Sequence, residues 1–179
     1  MPPGSRLARR HIVLVGLPGA GKTTVGRLVA AALGAPFIDL DEEIVRRTGR
    51  SIARQFAEEG EGAFRAIEVA LGEVALGGPA AVVATGGGFL VGDVTRAMAR
   101  GSGLVVYLQT DPAEAAARLG GSAGRPLLEG GEPSQRVAVL LAEREALYLE
   151  AECTVATGGS SAADVAASVV LLARGRAGW

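Results

Sequence analysis

Lys22 and Thr23 close the run Gly16-Leu17-Pro18-Gly19-Ala20-Gly21-Lys22-Thr23, whose G-x-x-x-x-G-K-[ST] spacing is suited to holding phosphate. Its glycines let backbone N–H groups turn inward around phosphate oxygens, and a helix start behind them adds a favourable dipole. Lys22 supplies a point charge to the β- and γ-phosphates, and Thr23 a hydroxyl ligand for one Mg²⁺. Gly19, Ala20, Gly21, Lys22, Thr23 and Thr24 are therefore the expected contacts of a nucleotide such as ATP. The bland alternative is a glycine-rich turn joining a strand to a helix. The apolar run Ile12–Val15 before the loop and the helical pattern Thr24–Leu33 after it favour the phosphate reading.

Further along lie Asp39-Leu40-Asp41, the pair Arg65 and Glu68, and three consecutive glycines, Gly86-Gly87-Gly88. If the second strand runs through the two aspartates, alternation turns Asp39 and Asp41 to different tasks, one toward metal-bound water and one toward an acceptor hydroxyl. Both residues equally suit helix caps. Arg65 and Glu68, three apart on one helical face, fit a solvated ion pair as well as a functional one. The glycine triplet follows the run Ala81–Ala84, where absent side chains let a ligand approach the backbone. Arg125-Pro126-Leu127-Leu128 sits between Gly120–Gly124 and Gly130–Pro133, the pattern of a mobile lid over 118–133.

Positioning these residues requires elements of two kinds. Short apolar runs at Ile12–Val15, Phe37–Ile38, Ala81–Ala84, Leu104–Leu108 and Thr154–Ala156 have the length of strands buried on both faces of a parallel sheet. Segments of helical period lie between them. Ser51 caps one helix, with Gly49 and Gly60 at its ends, and Thr110-Asp111-Pro112 opens another. The alternation predicts an α/β three-layer sandwich, a single domain over 1–179 with a central five-stranded parallel sheet and its ligands beyond the carboxyl ends of the strands. Residues 1–10 and 175–179 read as loose tails, Trp179 included.

Composition narrows the function classes. With 18 basic and 19 acidic residues the net charge is -1, so no global field recruits nucleic acid or an anionic membrane. The basic, apolar amino terminus is too short for a signal core and leads straight into the glycine loop. No apolar run is long enough to span a bilayer. A cytoplasmic protein is expected. His11 has no second histidine to form a metal site, and the lone Cys153 falls in a buried strand pattern.

Taken in order, these elements resemble the shikimate kinase family. The shared pattern is a P-loop, D-x-D, G-E-x-x-F-R-x-x-E, G-G-G, an R-P-L-L lid and a late R-x-P-L-Y. Here it stands as Gly16–Thr23, Asp39-Leu40-Asp41, Gly60 to Glu68, Gly86–Gly88, Arg125–Leu128 and Arg144-Glu145-Ala146-Leu147-Tyr148, across roughly residues 12 to 172. The resemblance implies a P-loop kinase fold and transfer of the ATP γ-phosphoryl group to the 3-hydroxyl of shikimate by a monomer. By the same resemblance, Asp41 orients or deprotonates the acceptor, while Arg65, Arg144 and the Gly87 backbone bind it. Lys22 and Arg125 act on the transferring phosphoryl group, and Asp39 holds Mg²⁺ through water. Phe56 and Phe64 line the ring or belong to the core, and Glu68 holds Arg65.

Arg118 either reaches the nucleotide or lies solvated on a helix's last turn. Ala146 replaces the pattern's proline, a change expected to loosen Arg144. The adenine-side segment Thr157–Ser161 matches only loosely. Kinases of related acids, aminoshikimate or gluconate, and a non-catalytic nucleotide-binding module are the alternatives.

Overall fold

The computed structural model describes residues 8–119 and 132–179. Five strands form one parallel sheet: β1 (His11–Val15), β2 (Phe37–Asp39), β3 (Val82–Ala84), β4 (Gly103–Gln109) and β5 (Cys153–Ala156), in the order β2-β3-β1-β4-β5. Each apolar run named from the sequence is one of these strands. Every residue of β1 and β3 is buried, so both faces of the sheet's centre are covered. Long runs of β-branched and aliphatic residues suit such two-sided burial. The expected sandwich of sheet and flanking helices is the observed fold.

Among the described residues seven helices connect or follow the strands: α1 (Lys22–Leu33), α2 (Leu40–Thr48), α3 (Ile52–Leu76), α4 (Asp93–Ser102), α5 (Pro112–Leu119), α6 (Pro133–Tyr148) and α7 (Ala162–Arg176). The main core gathers around Ile12, Leu14, Phe89, Leu104, Tyr107 and Val169. A smaller cluster of Ile44, Phe64 and Leu71 joins α2 to α3. Ser51 caps α3 as expected, accepting from Arg54 N at 3.2 Å. Gly60, at φ 80° and ψ 172°, breaks the helical path within α3, a conformation glycine adopts without a Cβ penalty. Asp111 opens α5 by accepting from Ala113 N at 2.8 Å.

Three expectations need correction. β2 does not run on through Asp41; α2 begins at Leu40, because Asp39 caps it by accepting from the backbone N–H groups of Asp41 and Glu42. The strand-alternation argument for the two aspartates therefore fails.

The carboxyl terminus is not a loose tail. Ala177 is fully buried, and Trp179 Nε1 donates to Arg10 O at 2.8 Å while Arg9 sits 4.8 Å over the indole. Partial burial of the indole against the core and pairing of its one donor oppose the end's conformational entropy.

The amino-terminal tail, expected to reach residue 10, has Arg10 anchored to Ala177 O at 3.0 Å and paired with Glu152 at 2.7 Å. Residues 1–7 lie outside the described residues. His11 is the first residue of β1, its Nδ1 accepting from Ala81 N at 3.1 Å. Cys153 is buried.

Candidate active site

The carboxyl ends of all five strands lead into the residues singled out from sequence. The phosphate loop follows β1. There Gly16, Gly19 and Gly21 take φ values of 142°, 81° and 87°, in the range that favours glycine. Gly19 also has no room for a side chain, since a Cβ there would lie 2.3 Å from Ala115 O on α5. Gly21 leads directly into α1, whose first turn carries Lys22, Thr23 and Thr24. Lys22 is mostly buried and its Nζ donates to Gly16 O at 2.9 Å and Leu17 O at 2.8 Å. The ammonium is thus held over the loop whose N–H groups would face phosphate.

Asp39 serves two elements with its two oxygens. Oδ1 caps α2, while Oδ2 accepts from Thr23 Oγ1 at 2.6 Å. The cap reading and the functional reading of Asp39 are therefore compatible. Thr23 and Asp39 together present a hydroxyl and a carboxylate beside the phosphate loop. These are the hard oxygen donors that Mg²⁺ takes, and few protein ligands suffice because the ion keeps waters and phosphate oxygens. Among the described residues no group of three or more His, Cys, Asp or Glu is placed to hold a metal, so an ion at Thr23 and Asp39 would draw its remaining ligands from nucleotide and water.

Arg65 projects from α3 toward the turn that follows β3. Its Nη1 donates to Glu68 Oε2 at 2.6 Å and its Nη2 to Glu61 Oε1 at 3.0 Å. Glu68 is 2% exposed, so the solvated-pair reading of this couple does not apply. Burial opposes the Arg65 charge, but the charges and hydrogen bonds of Glu68 and Glu61 outweigh it and hold the guanidinium above its usual pKa. For Glu68 the balance reverses. Burial raises its pKa, Arg65 offsets this incompletely, and the nearby Asp41 charge adds to the rise. The two directions are consistent, because the carboxylate is buried more deeply than its partner.

The triplet Gly86-Gly87-Gly88 is where these groups meet. A Cβ at Gly86 would lie 2.8 Å from Asp41 Oδ1 and 3.0 Å from Glu68 Oε1. At Gly88 it would lie 2.5 Å from Arg65 Nη2 and 2.6 Å from Nη1. At Gly87 it would lie 2.9 Å from Pro18 Cδ, in the phosphate loop itself. The triplet thus lets two acids, one guanidinium and the phosphate loop crowd onto a single turn. From sequence it read as space for a ligand; part of that space is occupied by the site's own side chains.

Arg144 reaches the same turn from α6, donating from Nη1 to Gly87 O at 3.1 Å. It is 7% exposed. The helix runs unbroken through Ala146, where a proline would lack the N–H for an interior helical bond. The guanidinium is held by Gly87 O, a contact that does not involve position 146.

Phe64 belongs to the small core, 4.7 Å from Phe56 between ring centroids, with Arg65 5.6 Å from its ring. Arg118, on the last turn of α5, donates to Glu114 at 3.2 Å and to Thr157 Oγ1 at 3.4 Å. Thr157 in turn shares a 2.7 Å hydrogen bond with Thr110, so Arg118 faces the ends of β4 and β5. Sequence reasoning placed Thr110 only at a helix start and missed this pairing. Arg125 and most of the expected lid lie outside the described residues.

Lys22, Thr23, Asp39, Asp41, Arg65, Gly87 and Arg144 are therefore all placed at the carboxyl edge of one sheet, with the glycine loop close beside a cluster of two guanidinium groups and two acids. The family model for shikimate kinase matches residues 18–173. The shikimate kinase of Rhodococcus jostii is 41% identical over 159 residues, 88% of this chain and 94% of that protein. That of Thermobifida fusca is 46% identical over 151 residues, 84% and 87% of the two chains. The structure of shikimate kinase from Acinetobacter baumannii in complex with shikimate superposes with a TM-score of 0.90 at 39% identity, covering 93% of this chain and 94% of that one. On sequence, fold and site alike, the chain belongs to the shikimate kinase family, and it is an ATP-dependent kinase.

Proposed function

We propose that this chain transfers the γ-phosphoryl group of ATP to the 3-hydroxyl of shikimate, giving shikimate 3-phosphate and ADP. The observation that carries the reading is the direct contact between the phosphate loop and the acceptor turn, Pro18 against Gly87. It supports a reaction in which both substrates are held edge to edge by one chain. Phosphoryl transfer needs little covalent participation from the protein, and positioning with charge stabilisation does most of the work.

In this reading Arg65 and Arg144 grip the acceptor's carboxylate, two planar forks fixing orientation as well as affinity. The Gly87 backbone borders the same substrate. Asp41 accepts a hydrogen bond from the 3-hydroxyl and takes its proton as the oxygen forms its bond to γ-phosphorus. The bond from γ-phosphorus to the β–γ bridging oxygen breaks, and ADP leaves with that electron pair. Lys22 and Arg125 would each offset the charge that spreads over the transferring group. Gly19, Ala20, Gly21, Thr23 and Thr24 cradle the phosphates, and Arg118 borders the nucleotide at the ends of β4 and β5.

The reading includes one Mg²⁺, which Thr23 and Asp39 would hold beside the phosphate loop. Such an ion would supply positive charge against the nucleotide's phosphates. Both halves of the site come from one chain, which supports action as a monomer. The near-neutral charge supports small-molecule partners rather than nucleic acid. No helix among the described residues is long and apolar enough to cross a membrane, and dependence on ATP supports a cytoplasmic location. Proton and phosphorus NMR of the product test the assignment: a phosphate on the 3-hydroxyl upholds it, and one elsewhere overturns it.

A further inference from the structure

Tyr148 is the last residue of α6, 2% exposed. Tyr148 Oη donates to Gly87 O at 2.5 Å, the same carbonyl that accepts from Arg144 Nη1 at 3.1 Å. A carbonyl oxygen has two lone pairs, and here both are used by α6. Residues 144 and 148 are one helical turn apart, so they meet on one face. The ring is itself held by Tyr107 of β4, stacked at 5.1 Å and 26°. Burial raises the Tyr148 pKa, and the Arg144 charge and its hydrogen bond to the phenol pull the other way, so the phenol keeps its proton as donor to Gly87.

We infer that Tyr148 is a positioning residue for acceptor binding: its hydroxyl locks the Gly87 carbonyl against α6 and thereby sets the aim of the Arg144 guanidinium. The inference rests on the shikimate reading of the site. The physical reason lies in the count of donors. Arg144 has five N–H groups; beside those engaged by Gly87 O and by the phenol, the rest can aim at a carboxylate only while the carbonyl stays where it is. Because a trans peptide is planar, fixing the Gly87 oxygen also fixes the direction of the Gly88 N–H, on the residue whose Cα abuts Arg65. One phenol therefore constrains both acceptor arginines. Without it, Arg144 becomes the sole donor to Gly87 O and follows the carbonyl's motion.

The test is Tyr148→Phe. The phenyl ring preserves the stack on Tyr107, and Gly87 O keeps Arg144, so no buried polar group is orphaned and the variant is expected to fold. The KM for shikimate should rise about tenfold, the typical loss of one buried hydrogen bond. The KM for ATP should stay within about twofold, and kcat should fall less than the acceptor KM rises. In an Arg144→Lys background the same change should have little further effect, because the fork it aims is gone. Tyr107→Phe serves as a control, since Tyr107 Oη has no hydrogen-bond partner among the described residues; it should leave both KM values unchanged.

An unchanged shikimate KM in Tyr148→Phe overturns the inference, as does an equal rise in both KM values. Full additivity with Arg144→Lys overturns it too. A variant that melts lower yet keeps the wild-type shikimate KM assigns Tyr148 to stability alone and overturns it as well. These outcomes are separable from failure of the functional reading, which would show as wild-type enzyme whose turnover shikimate does not stimulate.

Discussion

The guanidinium of Arg65 lies so close to Gly88 that a methyl group on that glycine would come within 2.5 Å of Nη2 and 2.9 Å of Cζ. Arg65 can move only by leaving Glu68, so Gly88→Ala should displace it without disturbing the sheet. The expected result is a rise in the shikimate KM of about tenfold or more, with the KM for ATP unchanged. Gly87→Ala faces Pro18 of the phosphate loop instead, and its KM for ATP should rise as well. Steady-state kinetics with each substrate varied in turn distinguish the two variants.

Removing Arg65 itself costs twice. Arg65→Ala should raise the acceptor KM by roughly thirtyfold, for the loss of charge-assisted contacts of about 2 kcal/mol. It should also lower the melting temperature, since Glu68 is left buried without its partner. Adding Glu68→Gln to Arg65→Ala should recover part of the lost stability while leaving KM high. Thermal melts of the single and double variants check this.

The raised pKa of Glu68, caused by burial and incompletely offset by Arg65, has a defined pH consequence. The folded protein holds this proton to higher pH than the unfolded chain. Stability attributable to Glu68 is therefore greatest below its unfolded pKa and declines as pH rises through its folded pKa. Glu68→Gln should flatten that part of the melting-temperature profile just above the usual carboxylate range. An identical slope in both proteins would contradict the assignment.

The terminal clasp is structural. Trp179 pairs with Arg10 O and carries Arg9 over its ring, at the amino end of β1 and so opposite the end that leads into the phosphate loop. Deleting Trp179 should remove about 1–2 kcal/mol, a fall in melting temperature of a few degrees for a domain of this size. Turnover at 25 °C should not change.

Five strands were legible because each is a short apolar run, a pattern that local composition records directly: β1, β3 and nearly all of β4 are buried, and the edge strands β2 and β5 are only partly so. The boundary after β2 was not. Asp39 switches the chain from strand to helix by capping, and Asp39-Leu40-Asp41 suits either outcome until the first turn of α2 is in place. Lys22, Thr23 and the glycine loop were legible as local chemistry. The crowding at Gly86–Gly88 was not, since its causes, Asp41, Glu68, Arg65 and Pro18, arrive from three other segments. Tyr148 and Arg144 reach Gly87 across 61 and 57 residues of sequence, and spacing carries no trace of such a meeting. Trp179 was misjudged for a related reason: a terminal residue looks unattached until the strand beside it is known.

Lys22 divides the catalytic account from a purely binding one. Its ammonium is held at Gly16 and Leu17 over the loop. Lys22→Ala should cut kcat by at least about a hundredfold, the scale for loss of one preorganised charge at a developing anion, while shikimate still binds in titration calorimetry. Preserved kcat would place the chemistry elsewhere.

The most direct measurement is the rate of ADP release from ATP and Mg²⁺ with shikimate, with gluconate and with no acceptor. The contact between phosphate loop and acceptor turn predicts strong stimulation by shikimate, with gluconate indistinguishable from the blank. Release that shikimate does not stimulate, or that gluconate stimulates equally, would contradict it.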